Sequence, residues 1–302
     1  LAFNIGNIGG ASMGLNIVFG IDTTTAAAIS GILGILLFAS PKMGGVLDNT
    51  AKVLGTVMLV LIGYVAFSTN PPVAEAATHA IVPTNYPWLA TITLIGGTVG
   101  GYITFSGGHR LIDAGITGRE HLKDVRRAAF MGMSVDAIVR ILLFLAVLGV
   151  VSMGFALDPK DPAGSAFLLG AGEIGHKLFG IVFFCAALTS VVGAAYTSVS
   201  FLKTLFKVVE RYEKLTIMAF IFVSTCILIF IGKPATLLIV AGSVNGLILP
   251  VTLAVMLLAT RKTNIVGDYK HNPVLFYTGW IVVLVTAYIG VTSLQGIAKL
   301  LG

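Results

Sequence analysis

GGTVGGYITFSGG, residues 96–108, places six glycines in thirteen positions inside an otherwise apolar run. Glycine is a poor helix former, and in hydrocarbon every backbone N–H and C=O group needs a partner. A helix can be interrupted there only where protein or a polar cavity satisfies the freed groups. The stretch predicts a broken membrane helix whose backbone carbonyls face a solute near the middle of the bilayer. The alternative is close helix crossing through the GxxxG pairs at 96/100 and 97/101.

The composition places the whole chain in a membrane. Hydrophobic residues make up 56% of the 302 residues and charged residues only 11%, which excludes a water-soluble surface. The net charge of +6 comes from basic residues in short loops, where membrane orientation explains them better than nucleic acid does. We therefore expect no nucleic-acid partner. Cys185 and Cys226 both lie in apolar runs, so no disulfide scaffold is predicted.

Apolar segments of about the length that a bilayer requires recur along the chain. We place nine of them, near 1–20, 24–39, 46–68, 88–105, 127–151, 178–202, 215–231, 235–258 and 273–296. They predict an all-α, polytopic helical membrane protein with a single transmembrane domain over residues 1–302. Because Leu1 opens directly into apolar sequence, we expect a chain truncated at its N-terminus.

Basic residues alternate between the loops and predict the orientation in the plasma (inner) membrane. One set of alternating loops holds only Lys160, Lys177 and Lys233 and is therefore placed outside. The other set is far more basic, so by the positive-inside rule it is cytoplasmic. It consists of Lys42, Arg110, Arg119, Lys123, Arg126, Arg127, Lys203, Lys207, Arg211, Lys214, Arg261, Lys262 and Lys270.

Asp136 and Arg140 lie one helical turn apart within the 127–151 segment. Ionisable groups inside a bilayer are costly and usually line a polar pathway. The alternative is an i,i+4 ion pair that satisfies itself.

Asparagines mark two further segments. Asn4 and Asn7, one turn apart, are expected to share a polar face, with helix–helix hydrogen bonding as the alternative. Asn245, with Pro250 five residues on, predicts a second locally loosened helix that faces the same interior.

At these residues the chain resembles the NRAMP divalent-metal transporters. GGTVGGYITFSGG resembles their sixth transmembrane helix, usually GATVMPHNLYLHS. AFNIGNIGGASMGLNIVFGI resembles their third helix and VAGSVNGLILPV their tenth. The resemblance implies a LeuT-like fold of two inverted five-helix repeats. It also implies that helices three to eleven are present here, without helices one and two and their DPGN motif.

Several positions depart from the family pattern. Gly100 stands where the family has its metal-binding Met, and Gly101 and Tyr102 replace the following Pro and His. Loss of the thioether favours harder ions such as Mg²⁺. Asn4 and Asn7 align with the acidic residues of the family's proton pathway, which implies that this relay is missing. Asp136 aligns with a usual Asn, and the combination resembles the NRAMP-related magnesium transporters.

The resemblance implies a secondary-type transporter of divalent cations of the Mg, Mn or Fe class. It implies neither an enzyme nor a cofactor, because the cation is the substrate, and the other partner is the lipid bilayer. The implied ion-binding residues are Gly97, Thr98, Gly100, Gly101, Tyr102, Asp136 and Asn245, with Gly97, Gly100 and Asp136 as metal ligands. Asn4, Asn7 and Arg140 are expected along the pathway.

Two alternatives stay open at this stage. One is transport of a small organic solute, such as an amino acid or a carboxylate, on the same fold, with Arg140 as the partner of the anion. The other is a membrane subunit that does not transport.

Overall fold

A computed structural model of the chain describes residues 1–99, 108, 111–112, 114–159, 161–203 and 205–301. These residues are mostly helical, and none of them forms a strand. In chain order the helices are α1 (Ala2–Phe19), α2 (Thr23–Ala39), α3 (Pro41–Ser68), α4 (Val73–Ile81), α5 (Trp88–Thr98), α6 (Leu122–Ser152), α7 (Pro162–Lys203), α8 (Lys207–Arg211), α9 (Glu213–Ile231), α10 (Pro234–Ala259), α11 (Thr263–Val266) and α12 (Pro273–Leu301).

The chain packs as two compact units. Apart from the first two residues, the first unit comprises Phe3–Thr84 and Gly115–Ala235, which contain α1 to α4 and α6 to α9. The second comprises Asn85–Ala114 and Thr236–Gly302, which contain α5, nearly all of α10, α11 and α12. The single transmembrane domain over residues 1–302 stays a prediction.

Five helices in the described part of the chain are long and apolar enough to cross a membrane alone. These are α6, α7, α9, α10 and residues Pro273–Leu294 of α12. Two further pairs of helices are long and apolar enough only when each pair is counted as one span. These are α1 with α2, bent by 117°, and Val53–Ser68 with α4, bent by 103°. The described residues thus give five to seven spans where nine segments were predicted. Hydropathy counts every apolar run as a span, whereas here some runs are halves of bent pairs and α5 as described has only 11 residues.

Local sequence signals explain the bend between α1 and α2. Gly20 ends α1 in the left-handed conformation at φ 69°, which glycine adopts without steric cost. Asp22 then caps α2, because its Oδ1 accepts hydrogen bonds from the backbone N–H groups of Thr24 and Thr25 at 3.0 and 2.9 Å.

A second break lies inside α7. Gly172 has φ 67° and ψ −170°, so residues 162–171 form a separate short helix before the main one. This helix was predicted to be loop. Phe167 on it is buried and stacks on Phe179 of the main helix with ring centroids 4.5 Å apart. The stack joins a core with the buried Ile62, Val65 and Val150, so α3, α6 and α7 pack together.

Close backbone contact fixes α1 against α7. A Cβ on Gly14 would lie 2.6 Å from the Phe184 nitrogen and 2.8 Å from the Gly180 oxygen, both backbone atoms that cannot turn aside. Small residues allow such crossings in membranes, where dispersion contacts rather than a hydrophobic effect hold helices together.

We expect Gly14→Ala to destabilise the protein by about 1–3 kcal/mol, because the added methyl would force the two backbones apart. Gly63→Ala is the matched control, since nothing lies within 4 Å of the methyl that it adds. Thermal unfolding of the purified protein in detergent checks both. Equal unfolding midpoints for the two variants would contradict the crossing.

Candidate ion site and its surroundings

The last turn of α5 forms the best-defined part of the candidate site. The helix ends at Thr98, and Val99 follows it with its N–H bonded to the Ile95 carbonyl. The last four carbonyls of a helix need partners from outside it. The Gly96 carbonyl has one, because the Asn245 side-chain amide donates a 2.8 Å hydrogen bond to it. Asn245 is only 4% exposed, so this bond is shielded from solvent.

α5 and α10 cross at backbone distance around this bond. A Cβ on Gly96 would collide with the Gly242 carbonyl and crowd the Gly246 nitrogen. One turn earlier, the Thr93 and Ser243 hydroxyl oxygens lie 2.7 Å apart. Gly96 therefore serves the close crossing that the sequence offered as the alternative, with α10 as the partner helix.

Gly97 is placed differently from Gly96. It is exposed, and nothing lies within 4 Å of the position that a Cβ would take. Thr98 beside it is also exposed, and its hydroxyl donates to the Leu94 carbonyl. The Gly97 backbone is thus accessible, as a carbonyl ligand would have to be. Gly100, Gly101 and Tyr102 lie outside the described residues.

α10 runs without interruption past Asn245. The helix is assigned from Pro234 to Ala259 and includes Pro250. Pro250 lacks an N–H, so it cannot donate to the carbonyl of Gly246. Even so the helix does not break, and the predicted loosening of α10 is not seen. The polar group that α10 contributes is the Asn245 side chain rather than a freed stretch of backbone.

Asp136 and Arg140 form an ion pair in the middle of α6. Arg140 Nε donates to Asp136 Oδ2 at 2.8 Å, and the two side chains are 47% and 40% exposed for Asp136 and Arg140. Each charge therefore has a partner on its own helix, as in the i,i+4 ion pair that was the alternative interpretation. Asp136 keeps an accessible face, so the pairing leaves carboxylate oxygen within reach of a cation.

Asn4 and Asn7 are buried and tie α1 to two different helices. The Asn4 side-chain amide donates to Ser224 Oγ on α9 at 3.3 Å, and that of Asn7 donates to the Ser190 carbonyl on α7 at 3.2 Å. Both act as interhelical hydrogen bonds, the alternative given for them. Among the described residues, Asn4 Oδ1 is the buried side-chain oxygen without a hydrogen-bond partner.

The predicted residues fall in both units. Gly97, Thr98 and Asn245 belong to the second, and Asn4, Asn7, Asp136 and Arg140 belong to the first. Within the described ranges, no three His, Cys, Asp or Glu side chains come together as metal ligands.

Sequence reasoning missed most of the residues through which α5 and α10 meet. These are Thr93 on α5 and Gly242, Ser243 and Gly246 on α10. A signal was present, because Gly242 and Gly246 form a GxxxG pair on either side of Asn245.

Comparison with known families decides the assignment. The model of the Nramp family, described as natural resistance-associated macrophage protein-like, matches residues 1–295. The chain belongs to the Nramp family. Members of this family are transporters rather than enzymes, and they take the metal as substrate without a cofactor. The resemblance drawn from the sequence is confirmed.

Two bacterial membrane proteins are similar to this Nramp chain over nearly its whole length. A membrane protein of Haemophilus influenzae is 51% identical over 287 residues, which are 95% of this chain and 72% of that protein. YcsG of Bacillus subtilis is 50% identical over 294 residues, 97% of this chain and 73% of that protein. The Nramp chain is thus a multi-pass membrane protein.

Solved structures confirm the fold. Crystal structures of two variants of a manganese transporter from Eremococcus coleocola each superpose with a TM-score of 0.69. The match covers 98% of this chain and 69% of the transporter at 16% identity. The all-α membrane fold of the Nramp type, predicted from the sequence, is therefore confirmed.

We expect Asn245→Ala to destabilise the protein by about 1–3 kcal/mol, because it leaves the buried Gly96 carbonyl without its donor. Asn16→Ala is the matched control. It also removes a side-chain amide that donates to a carbonyl, that of Ile21 at 2.7 Å, but at a part-buried site where water can replace it. Thermal unfolding compares the two. A midpoint for Asn245→Ala that falls no further than that of Asn16→Ala would contradict the role given to this bond.

Proposed function

We propose that the chain transports a divalent metal cation that binds at the end of α5. The observation that carries this proposal is the accessible backbone of Gly97 next to a Gly96 carbonyl held by a buried Asn245. A helix end in a membrane offers carbonyl oxygens that carry the negative end of the helix dipole, which suits a cation. Membership of the Nramp family and the fold shared with a manganese transporter support the same class of substrate.

The proposed ligands combine neutral oxygens with one carboxylate. Gly97 and Gly100 supply carbonyls, while Thr98, Gly101, Tyr102 and Asn245 shape the site or orient water. Asp136 supplies negative charge through the oxygen surface that its bond to Arg140 leaves exposed. Hard divalent cations accept such a set, because they prefer oxygen ligands and Mg²⁺ keeps several waters.

We further propose that transport is not coupled to protons through α1. Asn4 and Asn7 stand where the family has its acidic relay, and an asparagine side chain cannot ionise. Both are used instead as interhelical hydrogen bonds to α9 and α7. A separate replacement supports Mg²⁺ or Mn²⁺ over softer ions, because Gly100 stands where the family has its metal-binding thioether.

The orientation with the basic loops on the cytoplasmic side of the plasma membrane is part of this proposal. It rests on thirteen Lys and Arg residues in one set of loops against three in the other. Transport of an organic anion fits less well, because the guanidinium of Arg140 is already bonded to Asp136.

A thermal-shift titration with Mg²⁺ and Mn²⁺ tests the role of Asp136. Saturating cation is expected to stabilise the purified protein, by about 2.7 kcal/mol at a hundred times the dissociation constant. Asp136→Asn is expected to abolish this stabilisation, whereas Arg140→Gln is expected to retain it, because the carboxylate is then free of its intrahelical partner.

The two variants also separate a ligand from a structural ion pair. If Asp136→Asn and Arg140→Gln lower the unfolding midpoint alike and leave the cation response unchanged, Asp136 is not a ligand. A response to organic anions alone, lost in Arg140→Gln, would instead support the organic-solute alternative.

Uptake into proteoliposomes that enclose a pH-sensitive dye tests proton coupling. Cation uptake is expected without acidification of the lumen, because no ionisable group remains at positions 4 and 7. Asn4→Asp with Asn7→Glu is the matched variant that restores acidic groups. Acidification that keeps pace with uptake in the wild-type protein would contradict the proposal.

A further inference from the structure

A cavity lies between α4 and the C-terminal part of α6 in the first unit. Its volume is about 370 Å³. One wall is formed by α4 with Glu75 and His79, and the other by Phe144, Leu148 and Ser152 of α6. In the proposed orientation both segments lie on the side opposite the basic loops, where a substrate would arrive.

Glu75 and His79 present two metal-ligating groups to this cavity. They lie one helical turn apart, with Glu75 Oε1 and His79 Nε2 separated by 3.8 Å. That distance is too long for a hydrogen bond. It suits two ligands of one ion, since a metal lies roughly 2.0–2.2 Å from an imidazole nitrogen or a carboxylate oxygen. Both side chains are solvent-accessible, at 69% for Glu75 and 46% for His79, so an ion could reach them directly.

The charges around the cavity favour a cation. None of the described residues that line it is Lys or Arg. Over residues 69–87 the sequence contains one Asp, Glu, Lys or Arg residue, and it is Glu75. The helix dipole alone could account for Glu75 in the first turn of α4 and His79 in the last. It does not require both to face one cavity.

We propose that Glu75 and His79 form an outer capture site for a divalent transition-metal ion, completed by water and the Ser152 hydroxyl. The site is separate from the one at the end of α5, and its role in transport rests on the proposed function. An imidazole with a carboxylate suits Mn²⁺, Fe²⁺ or Zn²⁺ better than Mg²⁺, which prefers oxygen ligands only. The site would raise the local concentration of the substrate without setting its maximal rate.

Mn²⁺ binding to the purified protein, followed by the EPR signal of the free ion, tests the site directly. Glu75→Gln and His79→Gln are each expected to weaken the outer site at least about tenfold, since loss of even a hydrogen-bonding partner of a metal ligand costs that much. An excess of Mg²⁺ is expected not to displace this Mn²⁺. His176→Gln is the matched control, because His176 also lies 3.8 Å from a carboxylate, that of Asp161, but does not line the cavity.

Uptake measurements connect the site to transport. His79→Gln is expected to raise KM for Mn²⁺ with the maximal rate unchanged, and to leave KM for Mg²⁺ as in the wild-type protein. If Glu75→Gln and His79→Gln bind Mn²⁺ as His176→Gln does, the capture site is wrong, whatever the transport assays give. If Mn²⁺ binding depends on both residues but no divalent cation is transported, the site stands and the proposed transport function fails.

Discussion

A backbone carbonyl that leaves a helix inside a membrane must find a donor, and in this chain the Gly96 carbonyl finds it in Asn245. Water could satisfy such a group at a protein surface, but hydrocarbon offers none. The Asn245 amide reaches it because Gly96, Gly242 and Gly246 let the two backbones touch. One asparagine among small residues therefore makes it possible for α5 to end where it does.

The first unit uses its buried asparagines in a different way. Asn4 and Asn7 reach from α1 to α9 and α7, and they hold the helices together without a charge. Neutral groups suit this position, because an unpaired charge there would carry a large desolvation cost. The charged pair of this unit, Asp136 with Arg140, is half-exposed instead, and each partner neutralises the other. In this unit the buried amides are neutral and the charged pair lies at the accessible surface.

The sequence predicted the helical segments well, since their apolar runs end at clear signals. The segment predicted at 235–258 is Pro234–Ala259, and that at 215–231 is Glu213–Ile231.

Prediction from the sequence failed where packing between distant parts of the chain decides the structure. The helix at 162–171 was predicted as loop, because its buried face depends on Phe167 stacking against Phe179 beyond the Gly172 turn. Asn245 and Pro250 predicted a locally loosened α10, yet the helix is assigned without interruption from Pro234 to Ala259. Asn245 was identified as a site residue, but its partner could not be, because residue pairs 149 apart in sequence leave no periodic pattern.

The two neighbouring glycines of α5 show how one residue type serves two purposes. At Gly96 the missing side chain lets another backbone approach, so any larger residue would separate the helices. At Gly97 nothing approaches, and packing gives no reason to exclude alanine. Glycine there is exposed and has no side chain that would cover its backbone. A site built from such carbonyls distinguishes ions by charge density and by the number of oxygens that they require, rather than by affinity for sulfur or nitrogen. Selection for a softer metal would then have to come from groups elsewhere in the chain, and an imidazole beside a carboxylate on α4 has the chemistry to supply it.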